Sequence, residues 1–131
     1  MKLIKEMATM IKFRAWYMPF GKYGAMQEMV YSRASHILAL AETEPEKYIP
    51  EQFTGLTDVN GNEIYENDII VSRPTEPILG SPKIGVVKLS KVSFSWCCET
   101  GNNEYNIWKT DKYRTYEVID NVHANPELLV E

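Results

Sequence analysis

Four carboxylates follow one another closely in the middle of the chain, and they are the side chains most suited to holding a cation. They are Asp58, Glu63, Glu66 and Asp68. Hard divalent ions prefer oxygen ligands of this kind. The spacing, however, lacks the alternating ligand positions and the closing glutamate of a calcium loop. We therefore expect no metal site, and expect turns in which Asp68 accepts bonds from nearby backbone amides.

A nucleophile with a base would need Cys98 and His123, but no motif around either residue orients one toward the other. The two cysteines, Cys97 and Cys98, are adjacent, which disfavours a disulfide and predicts free thiols in a reducing compartment. The glycines are too scattered to form a phosphate-binding loop. We therefore expect no catalytic residues, no cofactor and no enzymatic activity.

Basic side chains lie close to aromatic ones along the second half of the chain, where they could bind nucleic acid. The candidate residues are Lys88, Lys91, Trp108, Lys109, Lys112 and Arg114. The net charge of −4 argues against attraction of the whole molecule to phosphate backbones. A basic face that only balances the acidic turn explains the same residues.

The composition favours a soluble protein with one principal core. The 131 residues are 44% hydrophobic, enough for a core without disulfides or metal. No apolar run approaches the roughly 20 residues that span a bilayer. Glu6 interrupts the apolar part of any signal peptide, so we expect a cytoplasmic protein and no membrane partner. Translation could equally begin at Met7 or Met10.

The first half predicts a β-hairpin. Residues Ile11–Tyr17 alternate apolar and polar side chains, which is typical of a half-buried strand. Trp16 falls on the polar side, and we expect it to pack under a neighbouring subdomain or subunit rather than stack on a ligand. A turn rich in glycine then leads to a second strand over Met26–Tyr31.

A helix is predicted from Ser32 to Thr43, with apolar residues along one face, Ser32 as its N-cap and Pro45 setting its end. His36 lies beside that face, which indicates a partly buried structural histidine. Residues 45–50 follow and are expected to be a solvated connector.

The second half predicts a small closed barrel of five short strands. Asn60-Gly61 indicates a type I′ turn, in which both residues have positive φ. The loop from Arg73 to Lys83 is expected to be irregular because it contains three prolines. The predicted strands cover residues 68–72, 84–89, 91–97, 105–109 and 115–119; in the third, Val92, Phe94 and Trp96 share the core face. Asn125 and Pro126 should start a final helical turn.

The stretch from Gln52 to Ser72, QFTGLTDVNGNEIYENDIIVS, resembles the signature of the YopX family, small proteins found mostly in bacteriophages and prophages. The opening strand, residues 11–16, and the closing segments, residues 116–121 and 125–129, are similar to the family as well. Three positions depart from its pattern. Tyr17 lies where the family commonly has an acidic residue, and Asn67 and Asp120 lie where it commonly has glycine. Asparagine tolerates positive φ, so we expect the change at Asn67 to be mild.

The resemblance implies an α+β, mainly β fold. Residues 1–50 would form a hairpin-plus-helix oligomerisation subdomain that intertwines with other subunits, and residues 51–131 an SH3-like β-barrel with a short C-terminal tail. The resemblance implies no activity. We therefore expect a phage or prophage accessory protein in the bacterial cytoplasm, a non-enzymatic homo-oligomer with a host or phage protein partner. The alternative is a barrel that binds phage or host DNA or RNA.

Overall fold

The protein is mainly β, and a computed structural model describes residues 11–107 and 112–129. Contacts within the chain divide it into two compact units at the bond between Phe53 and Thr54. The expected division after residue 50, with its oligomerisation and SH3-like assignments, stays a prediction. The alternative starts at Met7 and Met10 lie outside the described residues.

The first unit contains three antiparallel strands of a four-stranded sheet. Strand β1 (Phe13–Tyr17) lies between β2 (Glu28–Ser32) and β3 (Tyr48–Thr57). Helix α1 (Ala34–Thr43) packs on β1 and β2 and buries Ile37 completely. The predicted hairpin and helix are therefore confirmed.

Both faces of β1 are buried at its centre, so the prediction of one wet face is wrong. The Arg14 Nε atom lies 2.8 Å from Glu51 Oε1, and the two side chains are only 5% and 0% exposed. The Trp16 side chain is also buried, and its Nε1 donates to Gln27 Oε1 at 2.7 Å. Burial of the arginine is tolerated because a carboxylate pairs with it.

The predicted connector is wrong, because β3 already begins at Tyr48. Pro50 lies within this strand opposite Ala15. At the helix start, Ser32 is not the N-cap. Arg33 occupies that position without a side-chain cap, and Ser32 Oγ instead lies 2.8 Å from His36 Nδ1. His36 is exposed rather than partly buried, since it reaches back to Ser32 at the surface.

The second unit contains the remaining strands: β4 (Glu63–Tyr65), β5 (Asp68–Pro74), β6 (Lys83–Leu89), β7 (Trp96–Thr100), β8 (Asn103–Asn106) and β9 (Arg114–Asn121). Five of them form an antiparallel sheet in the order β8-β7-β6-β5-β9. The Tyr116 hydroxyl, on one edge strand, donates to the Asn106 carbonyl on the other at 3.5 Å. The sheet is thus curled into a half-barrel. Closure into an SH3-like barrel stays a prediction.

An apolar cluster packs on the inner side of this curled sheet. Its buried members are Ile64, Ile70, Val87, Cys98, Ile107 and Tyr116. Leu56, Trp96 and Val118 pack against them. The cluster draws one residue from nearly every strand, which is what a curled sheet needs to hold its shape.

The predicted strand over residues 91–97 is wrong in its first half. The chain turns there: Ser90 N donates to Ser95 O, and Ser90 Oγ accepts from the amides of Val92 and Ser93. Val92 is 87% exposed, and Phe94, with φ of 57°, is 78% exposed. A serine side chain that satisfies backbone amides offers the chain an alternative to strand pairing.

Four other local predictions meet different outcomes. Gly61 has φ of 83°, but Asn60 is not among the residues with positive φ, so the type I′ turn is wrong. The prediction for residues 73–83 is partly wrong, because β5 continues to Pro74 and a 3₁₀ helix spans Pro77–Leu79. The final turn at Pro126–Leu129 and the positive φ of Asn67 are confirmed.

Candidate functional site

A cavity of about 270 Å³ opens inside the curl of the second unit. Every strand of the five-stranded sheet contributes to its lining. The lining residues are Ser72, Leu79, Lys83, Cys98, Tyr105, Asn106, Arg114 and Tyr116. The cavity lies where β5 ends and where β6 and β9 begin, since Ser72 is paired with both Lys83 and Tyr116. Two tyrosine rings therefore share one small space with two cationic side chains.

The two cations in the cavity are held in different ways. The Arg114 guanidinium is fixed by the chain, because Nη2 donates to Ser72 O at 2.9 Å and to Ser81 O at 3.0 Å. The Lys83 ammonium lies over the Tyr105 ring, 3.9 Å from its centre. None of the described residues that line the cavity is acidic. This part of the lining thus carries positive charge.

The positive charge of the lining affects the pKa of the Cys98 thiol. Burial raises its pKa to about 11, while Arg114 and Lys83 act in the opposite direction. The neighbouring Cys97 differs, because burial raises its pKa and the carboxylates of Glu104 and Glu99 raise it further. Cationic side chains thus act on Cys98, whereas carboxylates act on Cys97. Both cysteines are free, as predicted, and both are buried. A thiol with such a pKa is protonated at neutral pH and a poor nucleophile.

Gly85 lets β6 and β7 approach each other beneath the cavity. A Cβ atom there would lie 2.5 Å from Cys98 Sγ and 2.6 Å from the carbonyl oxygen of Glu99. Only glycine avoids both contacts without movement of the backbone.

The described residues of the predicted nucleic-acid site are distributed over different parts of the second unit. Lys88 Nζ donates to Asn67 Oδ1 at one end of β6, whereas Arg114 binds Ser72 at the end where β6 begins. Lys91 and Lys112 are exposed, the former on the Ser90–Ser95 turn. Trp108 and Lys109 lie outside the described residues. Nucleic-acid binding stays a prediction.

The acidic residues of the middle stretch make turns. Asp58 accepts from the amides of Asn60, Asn62 and Val118 at 2.8–2.9 Å and so ties its turn to β9. Asp68 Oδ2 accepts from the Tyr65 amide at 2.8 Å, as predicted. Within residues 11–107 and 112–129, no three acidic, cysteine or histidine side chains come together in a way that could hold a metal ion.

The first unit presents an apolar surface around the β1–β2 connection. Phe20, Tyr23 and Met26 are 69%, 92% and 77% exposed. The Gln27 side chain stabilises their loop, because its Nε2 donates to the carbonyls of Lys22 and Gly24 at 2.9 and 3.0 Å. We call Phe20, Tyr23, Met26 and the adjacent strand β2 the hairpin surface. In the described part of the sheet, β2 is an edge strand.

Together these features define a small, mainly β protein with a curled antiparallel sheet around a partly open cavity. The profile of the family described as YopX protein matches residues 6–130, and the chain belongs to this family. The crystal structure of protein EF1440 from Enterococcus faecalis is similar over 91% of this chain and 97% of that chain, with 24% identity and a TM-score of 0.48. No curated protein matches the chain.

The part of the chain that the structure describes contains no helix with the length and apolarity needed to cross a bilayer.

Two functional features escaped the sequence analysis. The buried pair of Arg14 and Glu51 was missed because each residue alone fits an exposed strand position or a connector. The cavity was missed because its residues are distant in sequence. One signal was available: Gly85 interrupts an apolar strand between Lys83 and Val87, and a glycine inside a strand often marks close approach of another backbone.

Proposed function

We propose that the protein is a phage or prophage accessory protein that acts without catalysis, as a homo-oligomer that binds other macromolecules. Membership of the YopX family supports the phage association and the assembly, both of which the resemblance implies. The observation that carries the assembly is the hairpin surface of the first unit. Three large exposed side chains beside an edge strand form a patch of the kind that marks interaction sites.

A second copy of this chain is the occupant that the hairpin surface fits. Two β2 strands paired antiparallel about Val30 would place Met29 opposite Tyr31, and Glu28 opposite Ser32. No like charges would then face each other, and apolar side chains would meet across the new ladder. The same patch serves both copies, as a two-fold interface requires.

Light scattering after size exclusion tests the assembly. We expect the wild-type protein at tens of micromolar to have the mass of a dimer or a larger oligomer. Tyr31→Lys should shift the mass toward the monomer, because a charge on an edge strand opposes pairing. Tyr113→Lys is the matched control, since both tyrosines are 63% exposed and Tyr113 belongs to the second unit. A wild-type monomer, or equal masses of the two variants, would count against the proposal.

The macromolecular partner is tested separately. The tagged protein would be captured from phage-infected cells, with and without nuclease treatment. We expect a defined phage or host protein to be captured. Tyr113→Lys should capture the same protein, and nuclease treatment should not remove it. Capture that depends on nucleic acid would instead favour the nucleic-acid prediction, and a salt-dependent shift with oligonucleotides would then be its direct test.

A further inference from the structure

The geometry of the cavity in the second unit points to a binding site for a small oxyanion attached to a ring. The Lys83 ammonium would hold the anionic group, and the rings of Tyr105 and Tyr116 would line the space for the apolar part. This site belongs to the second unit alone and does not depend on the proposed self-association.

Lys83 is available to bind an anion. Its Nζ lies over the Tyr105 ring, a contact with the π-face that leaves ammonium hydrogens to donate elsewhere. In the described residues no carboxylate forms an ion pair with it. A lysine inside a cavity would ordinarily need such a partner, because burying part of an unpaired charge is unfavourable. An anionic ligand would supply the missing charge.

Arg114 strengthens the preference for an anion without having to move. Its guanidinium is held by Ser72 and Ser81 at the cavity wall, so its charge is already in place. Both cations act on Cys98, which is buried and lines the same cavity. The two carboxylates that act on this strand, Glu99 and Glu104, affect Cys97 instead. A preorganised positive field inside a partly enclosed space attracts anions more strongly than the same charges at an open surface.

The size of the cavity limits the ligand. A volume of about 270 Å³ is just below the usual range for small-molecule sites, about 300–1,000 Å³. It equals the space of about nine water molecules at about 30 Å³ each. A ring with one acidic group has this size, whereas a larger ligand would extend beyond the lining residues. Ligands this small bind with a Kd of about 0.1–1 mM.

The test is a titration of the ¹⁵N-labelled full chain, followed by NMR, with three probes of similar shape. Benzoate and phenyl phosphate carry the two common oxyanions, and benzamide is the neutral counterpart of benzoate. We expect saturable shifts of the Lys83, Cys98 and Tyr105 amides with at least one anion. Benzamide should bind at least about tenfold more weakly, since charge carries the recognition. Whether benzoate or phenyl phosphate binds more tightly identifies the preferred head group.

Two lysine variants complete the test. Lys83→Gln should weaken binding of the preferred anion by about fivefold or more while the rest of the spectrum is retained. Lys91→Gln, on the exposed Ser90–Ser95 turn, should leave the Kd unchanged. The proposal is overturned if neither anion gives saturable shifts at these amides, if benzamide binds as well as benzoate, or if the two lysine variants bind equally. A wild-type monomer in light scattering would leave all three outcomes unaffected.

Discussion

The two units of this protein bury different kinds of side chain. The first unit buries the ion pair of Arg14 and Glu51 and leaves Phe20 and Tyr23 in solvent. The second unit buries a cluster of aliphatic and aromatic side chains and surrounds a cavity that carries Lys83. An outward apolar surface suits a macromolecular partner, while a partly enclosed positive space suits a small anion. The two proposals therefore place assembly and ligand binding in different parts of the chain.

The largest expected effect is the loss of the buried pair in the first unit. Arg14→Leu would remove the guanidinium that lies 2.8 Å from the fully buried carboxylate of Glu51. We expect the free energy of unfolding to fall by about 3–5 kcal/mol, the usual cost of removing one partner of a buried ion pair. Urea unfolding followed by tryptophan fluorescence measures it.

The matched control removes both charges. Arg14→Met combined with Glu51→Leu should recover most of the lost stability, because well-packed apolar residues often replace a buried ion pair without loss. If Arg14→Leu alone costs less than about 1 kcal/mol, the pair behaves like a surface salt bridge and the contrast between the units fails.

A smaller loss is expected where β6 and β7 approach each other in the second unit. Gly85→Ala should lower the free energy of unfolding by about 1–3 kcal/mol, because the new methyl group collides with Cys98 Sγ and Glu99 O. Adding Cys98→Ala should recover only part of this loss, since the backbone oxygen remains. Thermal unfolding of both variants, read as a double-mutant cycle, tests the contact. Full recovery would show that the backbone oxygen is not an obstacle.

The smallest stability effect, about 1–2 kcal/mol at neutral pH, is expected for Asp58→Asn. Burial alone would raise the pKa of Asp58, but the amides of Val118, Asn62 and Asn60 hold it below its ordinary value. Since the folded pKa lies below the unfolded one of about 3.9, the ionised carboxyl stabilises the fold above that pH. This contribution is lost as the pH falls through the folded pKa.

The effect is measured as the free energy of unfolding at a series of pH values from 7 to 2. The wild-type protein should lose this increment of stability below about pH 4, and Asp58→Asn should show a flatter dependence there. Glu127→Gln serves as the control. If the free energy of unfolding depends on pH equally in the wild type and in Asp58→Asn, Asp58 is not the source of the pH dependence.

Several strands, the α-helix and the family could be predicted because they depend on local patterns. Alternation identified β1, and apolar runs identified β5 and β6. The spacing of the carboxylates indicated the turn-forming role of Asp68. Each of these signals is contained in a few neighbouring residues.

The remaining features depend on contacts between distant segments. A partner 37 positions away in the sequence decides whether Arg14 is buried, and the alternation rule does not include it. In residues 91–97 the alternation was present, but Ser90 satisfied the local amides with its side chain and turned the chain outward. The cavity required the curl of five strands. The sequence showed several lysines in the second half, but not which of them lines the cavity.

Whether assembly and ligand binding are separate is tested most directly by one titration. The preferred anion, benzoate or phenyl phosphate, would be added to Tyr31→Lys under conditions in which light scattering gives the monomer mass. We predict a Kd within about twofold of the wild-type value, because the described residues that line the cavity all belong to the second unit. A Kd weakened by more than about fivefold would mean that the cavity depends on assembly, and would contradict the separation of the two roles.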